Sequence, residues 1–399
     1  MGRAGAAASA VLVGIGLVAL GGCVGPPALR ESVLGYDETV SALDQQILLL
    51  NIARLAHDRP PHFTVTSSIA ATFNFETAAG IGGSINEGAG TDVLSLSLNM
   101  RAAENPTFSI VPVTGQEFTQ RILTPVGEDV LAFFLFQGVR IELLSRLMAD
   151  GIELLAAGGR GQRFIFNKIS APEDYQEFRR IVLHLGALQQ TGRLFVQELT
   201  YDQPMLERMS SPPSTGDIVT AQGNNMAWRQ NADGTFTLTR SVRGRILISN
   251  YDPLTLTDQD RQRLNETAAA RPDNLVLIDV RADRPGGEWP VFAALKLRSL
   301  FAMLDFVAKG IELFPEVPVD ADPRSGEAIA LVRNPQSTLA ITASDRRPAA
   351  IDGWVRYQGR YFTLGDSRWD RAAFIVLYEL FQVTVTDVNR IGIPITIAK

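Results

Sequence analysis

Residues 63–112 read FTVTSSIAATFNFETAAGIGGSINEGAGTDVLSLSLNMRAAENPTFSIVP, and the period of that stretch decides the fold. From Val65 the odd positions run Val65, Ser67, Ile69, Ala71, Phe73 and Phe75, while the even ones run Thr64, Thr66, Ser68, Ala70, Thr72, Asn74 and Glu76. Successive strand residues point to opposite faces, so a period of two predicts one apolar and one polar face. Five glycines within 80–91 turn the chain back. The return leg sets Leu94, Leu96, Leu98, Met100 and Ala102 against Ser95, Ser97, Asn99 and Arg101. Both legs are about twice the usual strand length of ~5–6 residues. Pro106 is expected to interrupt the second leg, and Phe108 and Ile110 to resume it.

Helical periodicity surrounds this hairpin. Before it, Tyr36, Val40, Leu43, Ile47 and Leu50 step by four and three, which predicts a helix over 36–57 with one apolar stripe, either core-facing or a seam between protomers. Residues 23–35, with Pro26 and Pro27, read as an extended tether. After it come predicted helices at 114–123, 128–137 and 139–156, a helix opening at Pro172, and a strand at 194–199. Prolines and serines in 201–217 read as a linker between a helix and long-hairpin domain (36–200) and an α+β domain (218–399). The latter opens with strands at 218–222, 226–231, 235–240 and 245–249, and includes a helix over 295–309 and a hairpin turning at Gln358-Gly359. The fold class expected is α+β, a helical and long β-hairpin N-terminal region followed by a mixed β-meander with helices.

The first residues carry a different message. Arg3 precedes a small, apolar stretch that closes on Leu20-Gly21-Gly22-Cys23, the layout of a lipoprotein signal peptide over 1–22, cut after Gly22. Gly5, Ser9, Gly14 and Gly16 weaken the alternative of a membrane-spanning helix. Cys23 would take a diacylglycerol (and palmitate-type acyl chains), several chains giving the stable anchoring that a single chain does not. Val24 is unlike an inner-membrane retention signal, so the expected place is the outer membrane, facing the periplasm.

Cys23 is the single cysteine, which excludes disulfides and a further thiolate site. A net charge of −6 argues against nucleic acid. His57, His62 and His184 lack the spacing of a zinc helix, Asp320 and Asp322 lack the rest of a calcium loop, and no nucleophile elbow occurs. No cofactor and no metal are expected, and no catalytic residue stands out.

Several blocks resemble a widespread family of uncharacterised bacterial outer-membrane lipoproteins. They are Asp44-Gln-Gln-Ile-Leu-Leu-Leu-Asn51-Ile-Ala-Arg54, Pro60-Pro-His-Phe63, Pro106 to Phe118, Leu123-Thr-Pro125 and Val355-Arg-Tyr-Gln-Gly-Arg-Tyr-Phe362. The resemblance implies a lipid-anchored envelope protein and assigns no activity. Three readings stay open. One is a non-enzymatic scaffold or partner-binding protein. The second is a protomer of an oligomeric outer-membrane pore, whose assembly hairpin would use Ile69, Phe73, Phe75, Leu94, Leu96, Leu98 and Met100. The third is an envelope hydrolase working through a carboxylate pair. The partners expected are the membrane through acylated Cys23, and other proteins or further copies of the chain.

Overall fold

The computed structural model describes residues 25–84, 93–156, 159–325, 334–349, 353–385 and 395–398, and is mixed α+β. Gly22, Cys23 and the part of the glycine-rich tip over 85–91 lie outside the described residues. The chain forms two compact units. Of the described residues, the first takes those within Met1–Leu48, His62–Thr114 and Asp387–Lys399, and the second those within Leu49–Pro61 and Gly115–Thr386.

Helix α1 spans Gly25–Leu55, so most of the expected tether over 23–35 is helical. Pro26 and Pro27 fall in its first turn, where a missing N–H forfeits no helical hydrogen bond. The chain leaves the helix through Asp58, at φ 53°, and Pro60. Within the expected stripe, Tyr36, Val40, Ile47 and Leu50 are half-buried and Leu43 is exposed.

Strands β1 (Phe63–Ser84) and β2 (Val93–Val113) pair antiparallel along their whole length. Pro106 does not break β2, which runs on through it opposite Ala71. A bulge between Thr66 and Ser68 corrects the expected alternation. The extra residue flips the faces, so Val65, opposite Val111, lies on the other side of the ladder from Ile69, opposite Phe108. The C-terminal strand Ile395–Ala398, which the sequence reading did not foresee, adds to β2 at Thr107–Ile110.

The second unit opens with α2 (Gln116–Leu123), α3 (Glu128–Phe136) and α4 (Ile141–Met148). The helix expected over 139–156 stops at Met148, and Ala149–Leu155 is strand β3. A Cβ on Gly151 would collide with the carbonyl of Ile165, so glycine permits the close pairing with β4 (Gly161–Phe166). Next come α5 (Pro172–Gln190) and β5 (Phe195–Met209). The linker expected over 201–217 is therefore mostly structure: β5 runs to Met209, and α6 (Thr215–Gly223) starts at a Ser214/Asp217 capping box. The same helix replaces the strand expected at 218–222.

Strands β6 (Met226–Gln230) and β7 (Phe236–Ser249), helix α7 (Asp258–Ala269), and strands β8 (Leu275–Val280) and β9 (Val291–Leu297) complete a seven-stranded sheet. Its order is β4-β3-β9-β8-β7-β5, with β6 also on β7, and its one parallel pair is β7 with β8. The sheet draws strands from both sides of 201–217, which overturns a domain boundary there. Leu247, Leu277 and Ala294 pack with Leu264 and Ala268 of α7 in one core. The intervening Ile248, Ile278, Ala293 and Leu295 are equally buried on the opposite face. Residues 295–297, expected as helix, end β9, and helix α8 (Leu300–Glu312) follows, capped by Ser299. A small sheet of β10 (Ile341–Ser344), β11 (Trp354–Tyr357) and β12 (Arg360–Leu364) turns at Gln358 and Gly359, both at positive φ. Helix α9 (Arg368–Val385) closes the unit and packs with α4 and α8.

Candidate functional site

Helices α4 and α5 face each other through a polar seam inside an otherwise apolar core. Glu142, Ser145 and Arg146 share one side of α4, and Tyr175 and Arg179 one side of α5, by the three- and four-residue spacing of a helix face. All five are buried, with Arg146 and Arg179 each 0 % exposed. Charges in such a place must be paired or neutralised.

They are paired with an irregular segment of the same unit. Arg146 donates from Nη1 to the carbonyl of Pro335 at 2.9 Å and from Nε to Thr338 Oγ1 at 3.1 Å. Its Nη2 reaches the carbonyl of Gln336 at 2.8 Å and Glu316 Oε2 at 3.2 Å. Arg179 donates to Asn334 Oδ1 at 2.7 Å and to the Tyr175 hydroxyl at 2.9 Å. That hydroxyl in turn donates to Glu316 Oε2 at 2.8 Å. Thr338 gives Glu316 both its backbone N–H and its hydroxyl. Trp369 donates its indole N–H to the carbonyl of Thr338, with the guanidinium groups of Arg140 and Arg146 near its ring at 4.8 and 5.3 Å.

The two buried carboxyls are driven in opposite directions. Burial by itself would raise Glu316. The charges of Arg146 and Arg179, the Thr338 N–H and the Tyr175 hydroxyl outweigh it and hold the carboxyl below its usual range. For Glu142 burial wins and its pKa rises, although Arg140 donates to Oε2 at 2.5 Å. Its Oε1, with Ser145 Oγ and Arg179 Nε, has no hydrogen-bond partner. Two carboxyls with pKa values pushed apart are the raw material of acid–base catalysis. Access decides against that use here. Glu142 is 0 % and Glu316 7 % exposed, and the cavity beside Glu316, lined by Phe306, Val307, Ile311, Thr338 and Leu339, measures about 40 Å³. That admits water, whereas sites for organic ligands are ~300–1,000 Å³.

A second cluster holds a nucleophile beside a base. His184 Nδ1 lies 3.2 Å from Ser325 Oγ, with the Trp289 ring 5.5 Å from the imidazole. In a hydrolytic triad, a carboxylate on the far ring nitrogen orients the base. Here Nε2 is buried without a partner, and burial lowers the pKa of the imidazole, keeping it neutral. His57 packs edge-on against Tyr357 and Phe362 at 5.5 and 5.7 Å, which ties the chain just after the block ending at Arg54 to the block Val355–Phe362. Among the described residues, no group of three or more His, Cys, Asp or Glu is placed to hold a metal.

The residues expected to form an assembly hairpin are brought together by the β1–β2 register. Leu94, Leu96, Leu98 and Met100 stand opposite Gly83, Ile81, Ala79 and Thr77. Phe75 and Phe73 stand opposite Ala102 and Glu104, and Ile69 opposite Phe108. Directly opposed residues share a face, so all seven positions lie in one face of the ladder. Ser95, Ser97, Asn99 and Arg101 take the alternate face with Gly82, Gly80, Ala78 and Glu76. The sequence reading missed Arg146, Arg179 and Glu316. For the arginines the signal is a charge standing inside a buried helical stripe; Glu316, in irregular chain, leaves none.

No protein-family model, curated protein or solved structure matches the chain. Among the described residues, no helix is long and apolar enough to cross a membrane.

Proposed function

We propose that this chain is a lipid-anchored envelope protein, held on the periplasmic face of the outer membrane through acylated Cys23, with a non-enzymatic role in scaffolding or partner binding. The observation that carries the role is the use of the buried polar groups. Arg146, Arg179 and Glu316, the groups best suited to chemistry, are bonded to one another and to the segment 334–338. Their arrangement serves to hold an irregular stretch of chain on α4 and α5. The signal-peptide layout ending at Cys23 supports the anchor, and the resemblance of the blocks around Asn51, Pro106 and Val355 to outer-membrane lipoproteins supports the place.

The test is a mass measurement on the N-terminal peptide of the protein recovered from outer membranes. The wild type should carry a thioether-linked diacylglycerol and an amide-linked acyl chain on Cys23. Cys23→Ser should lose both and leave the membrane fraction. A Cys23→Ser variant that is processed and membrane-bound like the wild type would overturn the reading.

A further inference from the structure

We propose that β1 and β2 are one copy's share of an oligomeric outer-membrane β-barrel, in which the hairpin edges pair with those of further copies of this chain. The inference rests on the lipid-anchored reading and gives it a partner. Its first support is the pair of unlike faces, an apolar row from Leu94 to Ala102 backed by a row of Ser, Asn, Gly and charge. Apolar-out, polar-in alternation is the pattern of a barrel strand in lipid.

The edges supply the second support. Among the described residues nothing pairs with the far edge of β1, and on the far side of β2 the C-terminal strand covers only Thr107–Ile110. Strand edges that stay in water are guarded by Lys, Pro or inward charges. β1 has no Lys, Arg or Pro in its 22 residues, and Glu76 is its one acid. An edge so long and so unguarded is suited to pairing.

Length supplies the third. The open part of β2, Val93–Pro106, is roughly 14 residues, or ~46 Å at ~3.3 Å each, and rises ~33 Å when tilted by ~45°. That exceeds the ~25 Å apolar band of an outer-membrane barrel. Glu104, past Ala102 on the apolar face, falls toward the end of this span, where charge meets the headgroups. Backbone groups unpaired in lipid are strongly penalised, so one hairpin must close with others. The smallest barrels have ~8 strands, which sets about four copies as the minimum. The helix agrees: Val33, Tyr36, Val40, Leu43 and Ile47 of α1 repeat by three and four, and Val33 and Leu43 are exposed, as a seam between copies requires.

The experiment uses full-length protein extracted from membranes in mild detergent, with the acyl mass on Cys23 verified on the same sample. It is sized by native mass spectrometry and reconstituted into planar bilayers. A ring of four or more copies with stepwise conductance is expected. Leu96→Arg combined with Leu98→Arg should abolish both while the thermal transition of the second unit is unchanged. Ser97→Lys, on the alternate face, should keep the ring and shift its ion selectivity toward anions. An acylated monomer without conductance, or equal tolerance of charge on both faces, overturns the barrel and leaves the anchor standing. A ring that carries no acyl chain supports the barrel and overturns the anchor.

Discussion

Among single residues, Glu316 and Glu142 sit in one cluster with opposite consequences. Removing one partner of a buried ion pair strands the other, at about 3–5 kcal/mol. Glu316→Gln should cost that much in urea unfolding, because Arg146 and Tyr175 both depend on the charge. Glu142→Gln should change stability by less than ~1 kcal/mol, since burial already disfavours its charge. The pH profile follows with sign. Glu316 is held low in the folded state, so its contribution is full above the ordinary carboxyl value of 4.5 and is lost as pH falls through the folded value. His184, also lowered, makes folding weaken as pH drops below 6.5, whereas raised Glu142 takes up a proton in the folded state first and opposes that decline. Glu316→Gln should flatten the acid limb of the urea midpoint below pH 4.5, and an unchanged limb would show that another carboxyl governs it. In sequence only the charge of Arg146 inside the apolar run of α4 was legible. What pairs it was not, because the segment at 334–338 that folds back onto it lies nearly two hundred residues away.

Among the elements, the hairpin was readable because period two over so many residues has one physical cause. The bulge was not, since a single extra residue changes the register without changing composition. β3 was hidden for another reason. Buried residues fall on both of its faces, and Ala149, Ile152 and Leu155 directly continue the apolar run of α4, so the pattern carries no period to separate strand from helix. β5 was masked by Pro204 and the turn-like residues after Met209, although Pro204 is paired in the ladder opposite Thr239. The C-terminal strand was too short to register. Its role is testable: deleting residues 395–399 should speed amide exchange in Thr107–Ile110 while leaving Val93–Met100 unchanged. Equal protection in the deletion variant would mean that the strand does not guard this stretch.

For the whole molecule, the sheet order decides what is separable. β3 and β4 come from before residue 201, β7, β8 and β9 from after it, and β5 runs through it. A chain ending at residue 210 would leave β3 and β5 without their neighbours β9 and β7 and expose the face now buried at Ile152. Such a fragment should show no cooperative thermal transition and should bind a hydrophobic dye. A fragment that melts cooperatively would restore a domain boundary at 201–217. Periodicity was a fair guide to fold class, because alternating and helical periods both recur along the chain. It was a poor guide to partition, because partition depends on which strands become neighbours.

The strands of the first sheet bracket most of the second unit in sequence: β2 ends at Val113, and the strand that joins it begins at Ile395. A chain emerging from its N-terminus at ~5–20 residues per second therefore leaves β2 without that neighbour for about 15–60 seconds while roughly 280 further residues appear. Completion of the first sheet acts as a clock, reporting by its last four residues that everything between has been made.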